Sequence, residues 1–222
     1  MEDKSRRVDA PHVAGLNALV RAWRAAGGRF VPWFDPDGAG TAARVLVLME
    51  TPGPRTVAAG ALGFSSEDNA DPTSAVLRAA RAEAGLERSD YLRWNVVPWP
   101  LHDADGHRRA PTTADLDAAR PALRAVLDAC PDLAVVVTVG TPALTGVMRH
   151  LTLGPEAGTG AEPLPRLLPV LAVPHPSPRN GHHRAEARTR LTNALRQARR
   201  HLEATAPVTP AGPTAPGDGD PA

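Results

Sequence analysis

A chain of 222 residues with 42% hydrophobic content and a formal net charge of +1 is long enough for one ordinary globular domain with a buried core. Its single cysteine, Cys130, excludes an intramolecular disulfide and any multi-cysteine iron–sulfur or zinc–thiolate cluster, which suits a reducing compartment. Residues 1–7 are charged and lack the apolar stretch of a signal peptide, and no run reaches the roughly 18 apolar residues that span a bilayer. A cytoplasmic protein without membrane contact is expected.

Apolar residues at Val13, Leu16, Leu19, Val20 and Trp23 predict an amphipathic first helix that stops at Gly27-Gly28. Residues 44–49 contain Val-Leu-Val-Leu, a buried strand, and a glycine-rich loop follows. Asp71-Pro72 then reads as an N-cap with proline at the first helical position, opening a helix to about Ala84 with Gly85 as its stop. Residues 91–97 are the next strand. Thr112 or Thr113 caps a helical stretch to Ala129, expected to kink or break at Pro121.

The Val-Val-Val-Thr-Val run within residues 133–140 is the clearest strand; a short helix, 142–150, comes after it. A fourth, buried strand is expected at 169–174, and a last helix from about Arg184 to Ala204. Helices alternating with continuous apolar strands imply an α/β fold, a three-layer α/β/α sandwich around a mostly parallel four-stranded sheet. This domain spans 1–206. Residues 207–222, rich in Pro, Gly and Ala, are expected to be a disordered tail.

Ligands of such folds sit at the carboxyl ends of the strands. The four strands end at Glu50-Thr51-Pro52-Gly53-Pro54, at Asn95, at Gly140-Thr141 and at His175, so polar clusters converge on one edge. The last is His175-Pro176-Ser177-Pro178-Arg179-Asn180. Each proline fixes its own φ and biases the residue before it to extended geometry, so His175 and Arg179 project from a stiff rim. Charge is also uneven: from His175 to Arg200 there are seven arginines and one acidic residue, Glu186. Guanidinium forks match phosphates and suit a nucleic-acid backbone, although a solvated helix face has the same composition.

In this order the segments resemble the uracil-DNA glycosylase superfamily, with the nearest motif likeness to its single-strand-selective monofunctional branch. Glu50 to Pro54 is similar to the family's water-positioning loop, which in that branch ends in the same Pro-Gly-Pro. Phe64, thirteen residues after Thr51, stands where the family places the ring that stacks on the extruded base. Asn95 matches the asparagine that reads the uracil edge, and His175 to Asn180 resembles the catalytic and wedge loop. The likeness covers residues 44–180.

It implies a cofactor-free, metal-free monofunctional glycosylase, acting as a monomer on uracil or a related deaminated base in single- or double-stranded DNA. An enzyme working on a base in a duplex must extrude it and fill the gap. Arg179 is the wedge candidate, with Ser177 and Asn180 beside it on DNA, and Phe64 offers a stacking face. Asn95 carries a donor and an acceptor that suit adjacent carbonyl and imino groups, a pattern cytosine reverses. His175 supplies a hydrogen bond that strengthens as negative charge builds on the leaving base.

The pattern departs at Thr51, where the family usually has Asp or Asn. A hydroxyl orients water but holds its own proton too tightly to act as a base. Glu50 is the alternative base, and Asp68 and Asn69 are further candidates. Lys4, the sole lysine, lies far from every motif, which argues against a Schiff-base lyase step. Two other functions fit the residues: a non-catalytic nucleic-acid-binding protein that lost water activation at Thr51, and a small-molecule hydrolase or nucleotide-binding protein using loops at Gly53 and Gly140. His102, His107, His150, His182 and His183 have no metal-site spacing and read as surface residues, with His182 and His183 able to touch phosphates.

Overall fold

The computed structural model describes residues 2–153, 165–176 and 184–205. In chain order the elements are α1 (Glu2–Ser5), α2 (Pro11–Gly27), β1 (Trp33–Phe34), β2 (Val45–Met49), α3 (Pro54–Ala58), β3 (Phe64–Ser65) and α4 (Pro72–Ala84). They continue as β4 (Tyr91–Asn95), α5 (Thr113–Asp128), β5 (Val135–Val139), α6 (Thr141–Thr152), β6 (Val170–Val173) and α7 (Arg184–Thr205).

Four strands form an all-parallel sheet in the order β4-β2-β5-β6. The two central strands, β2 and β5, are buried at every position, which is why they read as unbroken apolar runs. Alternation splits the sheet into two cores. Leu46, Leu48, Leu92, Trp94 and Val136 pack with Leu16 and Val20 of α2, Leu116 and Leu123 of α5, and Val147 of α6. Val45, Val47, Tyr91, Val135 and Val137 pack with Leu77 and Ala80 of α4 and Leu191 and Leu195 of α7. Helices thus cover both faces, the expected sandwich.

Local signals explain the helix ends. The Asp71 carboxylate accepts the Ser74 backbone N–H at 2.9 Å with Pro72 in the first turn. Thr112 and Asp115 close a reciprocal capping box at the start of α5, a motif worth about 1 kcal/mol.

Two expectations are corrected. Pro121 does not break α5, which runs unbroken with Leu116, Ala119, Leu123 and Val126 buried along one side; packing on both sides of the proline offsets the lost backbone bond. Nor is β6 a buried strand: it is the sheet's edge, with Val170 and Leu171 half-buried and Ala172 exposed. A small parallel sheet, β1 with β3, was absent from the sequence reading and pairs Trp33 with Phe64. The tail expected at 207–222 lies outside the described residues.

Candidate active site

The central strand β2 delivers Glu50 to the carboxyl edge of the sheet. Met49 and Asn95 are register partners, and beyond them the Val96 and Val97 N–H groups donate to the Met49 and Glu50 carbonyls at 2.8 and 3.1 Å. Glu50 and Asn95 are therefore held on neighbouring strand ends. The Glu50 side chain leans across β5 onto Gly140, which caps α6 with φ +94°. A Cβ at Gly140 would lie 2.3 Å from Glu50 Oε1, so the bare α-carbon makes room for the carboxylate. Partial burial raises the Glu50 pKa above the ordinary glutamate value, and the charge of Arg108 opposes that rise.

Arg108 was missed by sequence reasoning. Its Nη2 donates to Thr51 Oγ1 at 3.0 Å and to the Pro52 carbonyl at 2.6 Å. It is aimed there by a turn in which Asp103 N–H donates to the His107 carbonyl at 2.8 Å and Arg109 N–H to the Leu101 carbonyl at 3.2 Å. Asp105-Gly106 sits at the tip, with Gly106 at φ +80°. An Asp-Gly pair is a hairpin signal, and it is the one clue that could have brought Arg108 into view.

Asn95, expected to read the base, ends β4. Alternation puts Tyr91, Arg93 and Asn95 on the face covered by α4 and α7. Asn95 is 4% exposed, at the last position of the strand. Arg93 donates to Ser74 Oγ at 2.7 Å and to the Ser66 carbonyl. His175 follows β6 by two residues and its ring lies within the electrostatic reach of Arg93 and of Asp71, the α4 cap. Burial first, then the Arg93 charge, hold its pKa below the ordinary histidine value, against a weaker opposite pull from Asp71. The imidazole is neutral at neutral pH, an N–H donor rather than a cation.

Phe64 is fully buried on β3, outside both main cores. The loop after it is fixed from several sides. Asn69 Nδ2 donates to the Phe64 carbonyl at 2.9 Å and to Thr56 Oγ1 at 3.1 Å, while Ser65 Oγ donates to the Arg93 carbonyl at 3.1 Å. Through Arg93 this loop, β4 and His175 belong to one connected region. Thr51, Glu50, Gly140 and Arg108 form the adjoining one.

Other candidates are placed elsewhere. Asp68 is bound by Lys4 Nζ at 2.7 Å and by Arg88 Nη2 at 2.5 Å, which engages its carboxylate, whereas Asn69 commits its Nδ2 to its own loop and keeps a buried Oδ1 without a partner among the described residues. Lys4 is not remote from every motif, as the sequence suggested: it ties down the residues after Phe64. His150 is buried rather than on the surface. Along the basic α7, Arg188 and Arg196 pair with Glu83 of α4 at 3.5 and 3.2 Å, which assigns part of that charge to packing. A cavity of about 310 Å³ lined by Arg124, Leu127, His150 and Leu168 lies at the opposite, amino-terminal edge of the sheet, away from all of these groups. Ser177, Arg179, Asn180, His182 and His183 lie outside the described residues.

Residues 36–199 match a family model described as the uracil DNA glycosylase superfamily. No curated protein matches the chain. No helix among the described residues is long and apolar enough to cross a membrane.

Proposed function

This chain belongs to the uracil DNA glycosylase superfamily, and on that premise we propose that it is a monofunctional hydrolase that cleaves the N-glycosidic bond of uracil, or a related deaminated base, in DNA. The family acts on DNA as glycosylases; the lesion and the mechanism below are our reading. The observation that carries it is Asn95: a buried residue at the carboxyl edge of the sheet, on the strand end beside the one that delivers Glu50. An amide that a bound base encloses and leaves unpaired costs about 1–3 kcal/mol. A base whose edge offers one acceptor and one donor fills it, and the wrong base leaves it unfilled.

The reaction breaks the bond between the sugar C1′ and the base nitrogen, with the electron pair leaving on the base. His175, neutral, donates to the base oxygen on which that charge appears. Water adds to C1′, and its proton passes to the Glu50 carboxylate. The released base is then reprotonated by solvent and an abasic site remains. Lys4, whose amine has its pKa raised by Asp35, Asp68 and Asp37 against the opposing cost of burial, is not a nucleophile, in keeping with hydrolysis without strand cleavage. The likeness to the single-strand-selective branch in the Pro-Gly-Pro and His-Pro-Ser-Pro-Arg-Asn segments supports uracil as the preferred lesion. A cytoplasmic monomer needing no cofactor completes the proposal.

A second reading, a nucleic-acid-binding protein without catalysis, draws on Thr51, whose oxygen is already engaged by Arg108. One assay separates the two. Purified protein in chelator is given single-stranded, U:A and U:G oligonucleotides, with hypoxanthine, xanthine and mispaired thymine alongside. Uracil release that drops at least 100-fold in His175→Ala supports the enzyme. Binding with no abasic product from any substrate supports the second reading, and cleavage recovered in Thr51→Asp would locate the defect in water activation.

A further inference from the structure

We infer that Arg108 is a positioning residue for water activation, clamping the Thr51-Pro52 segment and setting the charge environment of Glu50; this rests on the proposed glycosylase reading and deepens it. One nitrogen, Nη2, has two hydrogens and two acceptors, Thr51 Oγ1 and the Pro52 carbonyl. Consecutive residues of the loop are thereby held by a single rigid group. The guanidinium is planar and always charged, so this clamp does not titrate and presents its donors in a fixed fork.

The clamp also divides the labour between Thr51 and Glu50. With its oxygen accepting from Arg108, the Thr51 hydroxyl has its own hydrogen left to donate. A water placed by Thr51 therefore receives that hydrogen bond at its oxygen and turns its protons elsewhere. The group able to take one is a carboxylate, and Glu50 is the adjacent residue. Aspartate or asparagine at position 51 would orient water unaided; threonine here works as a pair with arginine.

Among the described residues, Arg108 is the charged group that acts on Glu50. The end of β4 offers Val96 and Val97, and the start of α6 offers Gly140. Burial disfavours the anion, and the charge of Arg108 offsets part of that cost. A residue on an exposed turn thus favours the ionised form of the base.

The test compares Arg108→Ala, Arg108→Lys and wild type in two measurements. The first is the pH profile of single-turnover uracil release at saturating DNA. Arg108→Ala is expected to lose roughly tenfold or more in kcat with little change in KM, and its acid limb to move up by about 1 pH unit, as removal of a nearby opposite charge dictates. Arg108→Lys should return the limb to its wild-type position while recovering only part of kcat. The second is a ¹³C NMR titration of the Glu50 carboxyl, assigned with Glu50→Gln, which needs no turnover. A higher Glu50 midpoint in Arg108→Ala supports the charge effect on Glu50 independently of turnover, whereas an inactive wild type overturns the glycosylase reading and, with it, the role in water activation. A loss confined to KM that salt abolishes, with the Glu50 midpoint unmoved, would overturn it and make Arg108 a phosphate contact.

Discussion

The Glu50 carboxylate rests on the bare α-carbon of Gly140, so close that a methyl group there would sit 2.3 Å from Oε1. Gly140 also has φ +94°, a conformation that L side chains rarely adopt. Glycine at the end of β5 therefore serves the neighbouring strand as much as its own. Gly140→Ala is expected to displace the carboxylate and reduce base release to the level of Glu50→Gln. The backbone strain, about 1–3 kcal/mol in this essentially glycine-only region, should lower the melting temperature by several degrees. Full activity in a folded Gly140→Ala protein would show that the Glu50 position is immaterial to the chemistry.

One buried histidine, His150, and one half-buried, His175, make stability sensitive to mild acid. His175 and His150 both have pKa values held down, in each case by burial first, with Arg93 adding to it for His175, and Arg124 and Arg120 for His150 against a pull from Asp128. A group whose folded pKa is depressed below about 6.5 takes up its proton more readily when unfolded. Stability is therefore constant above that value and declines as pH falls from it toward the folded pKa. The wild type should lose stability in urea between about pH 6.5 and pH 5, and His150→Asn should flatten part of that slope. Parallel wild-type and variant curves would remove His150 as a source.

The layers of this protein are legible in its sequence because its central strands are buried on both faces: residues 45–49 and 135–139 can be read as strands without periodicity. Caps were equally clear, since Asp71-Pro72 and Thr112 act on their own chain a few residues away. Interactions across long separations were not. β1 and β3 are two residues each, too short for any pattern, and they exist because Phe64 is brought beside Trp33. Arg108 looks like one of many arginines until the turn at Asp105-Gly106 folds it onto Thr51, 57 positions earlier. For the candidate site, residue identities at strand ends were readable; which of them share a partner was not.

Cys130 follows α5 on the core's apolar side, fully buried, with Sγ 3.8 Å from the Gly40 carbonyl. Burial pushes its thiol pKa up to about 12. Because the thiolate is the reactive form, the native protein should be inert to a disulfide-exchange reagent at pH 8, and one equivalent should react on unfolding. Labelling at a rate independent of urea below the unfolding transition would be unexceptional; rapid labelling without urea would contradict the burial.

Lys4 bridges three aspartates from two loops, with Nζ at 2.7 Å from Asp35, 3.0 Å from Asp37 and 2.7 Å from Asp68. Arg88 joins the same group, 2.9 Å from Asp35 and 2.5 Å from Asp68. Asp35 is almost fully buried, so removing one cation leaves its charge poorly compensated, at a cost of about 3–5 kcal/mol. Hydrogen bonds to Arg88 and Lys4 outweigh the opposing effect of burial and hold the Asp68 carboxyl well below the ordinary carboxylate range. Its contribution is therefore present above about pH 3.9 and lost as pH falls through the lower folded value. Lys4→Met should be markedly less stable than wild type at pH 7, with the gap narrowing below pH about 4. Since Ser66 and Asp68 follow Phe64 directly, the same variant should be cut faster by protease within residues 65–70. Equal urea midpoints at pH 7 would mean that Arg88 alone suffices to hold the aspartates, and that the tie between α1 and the Phe64 loop is incidental.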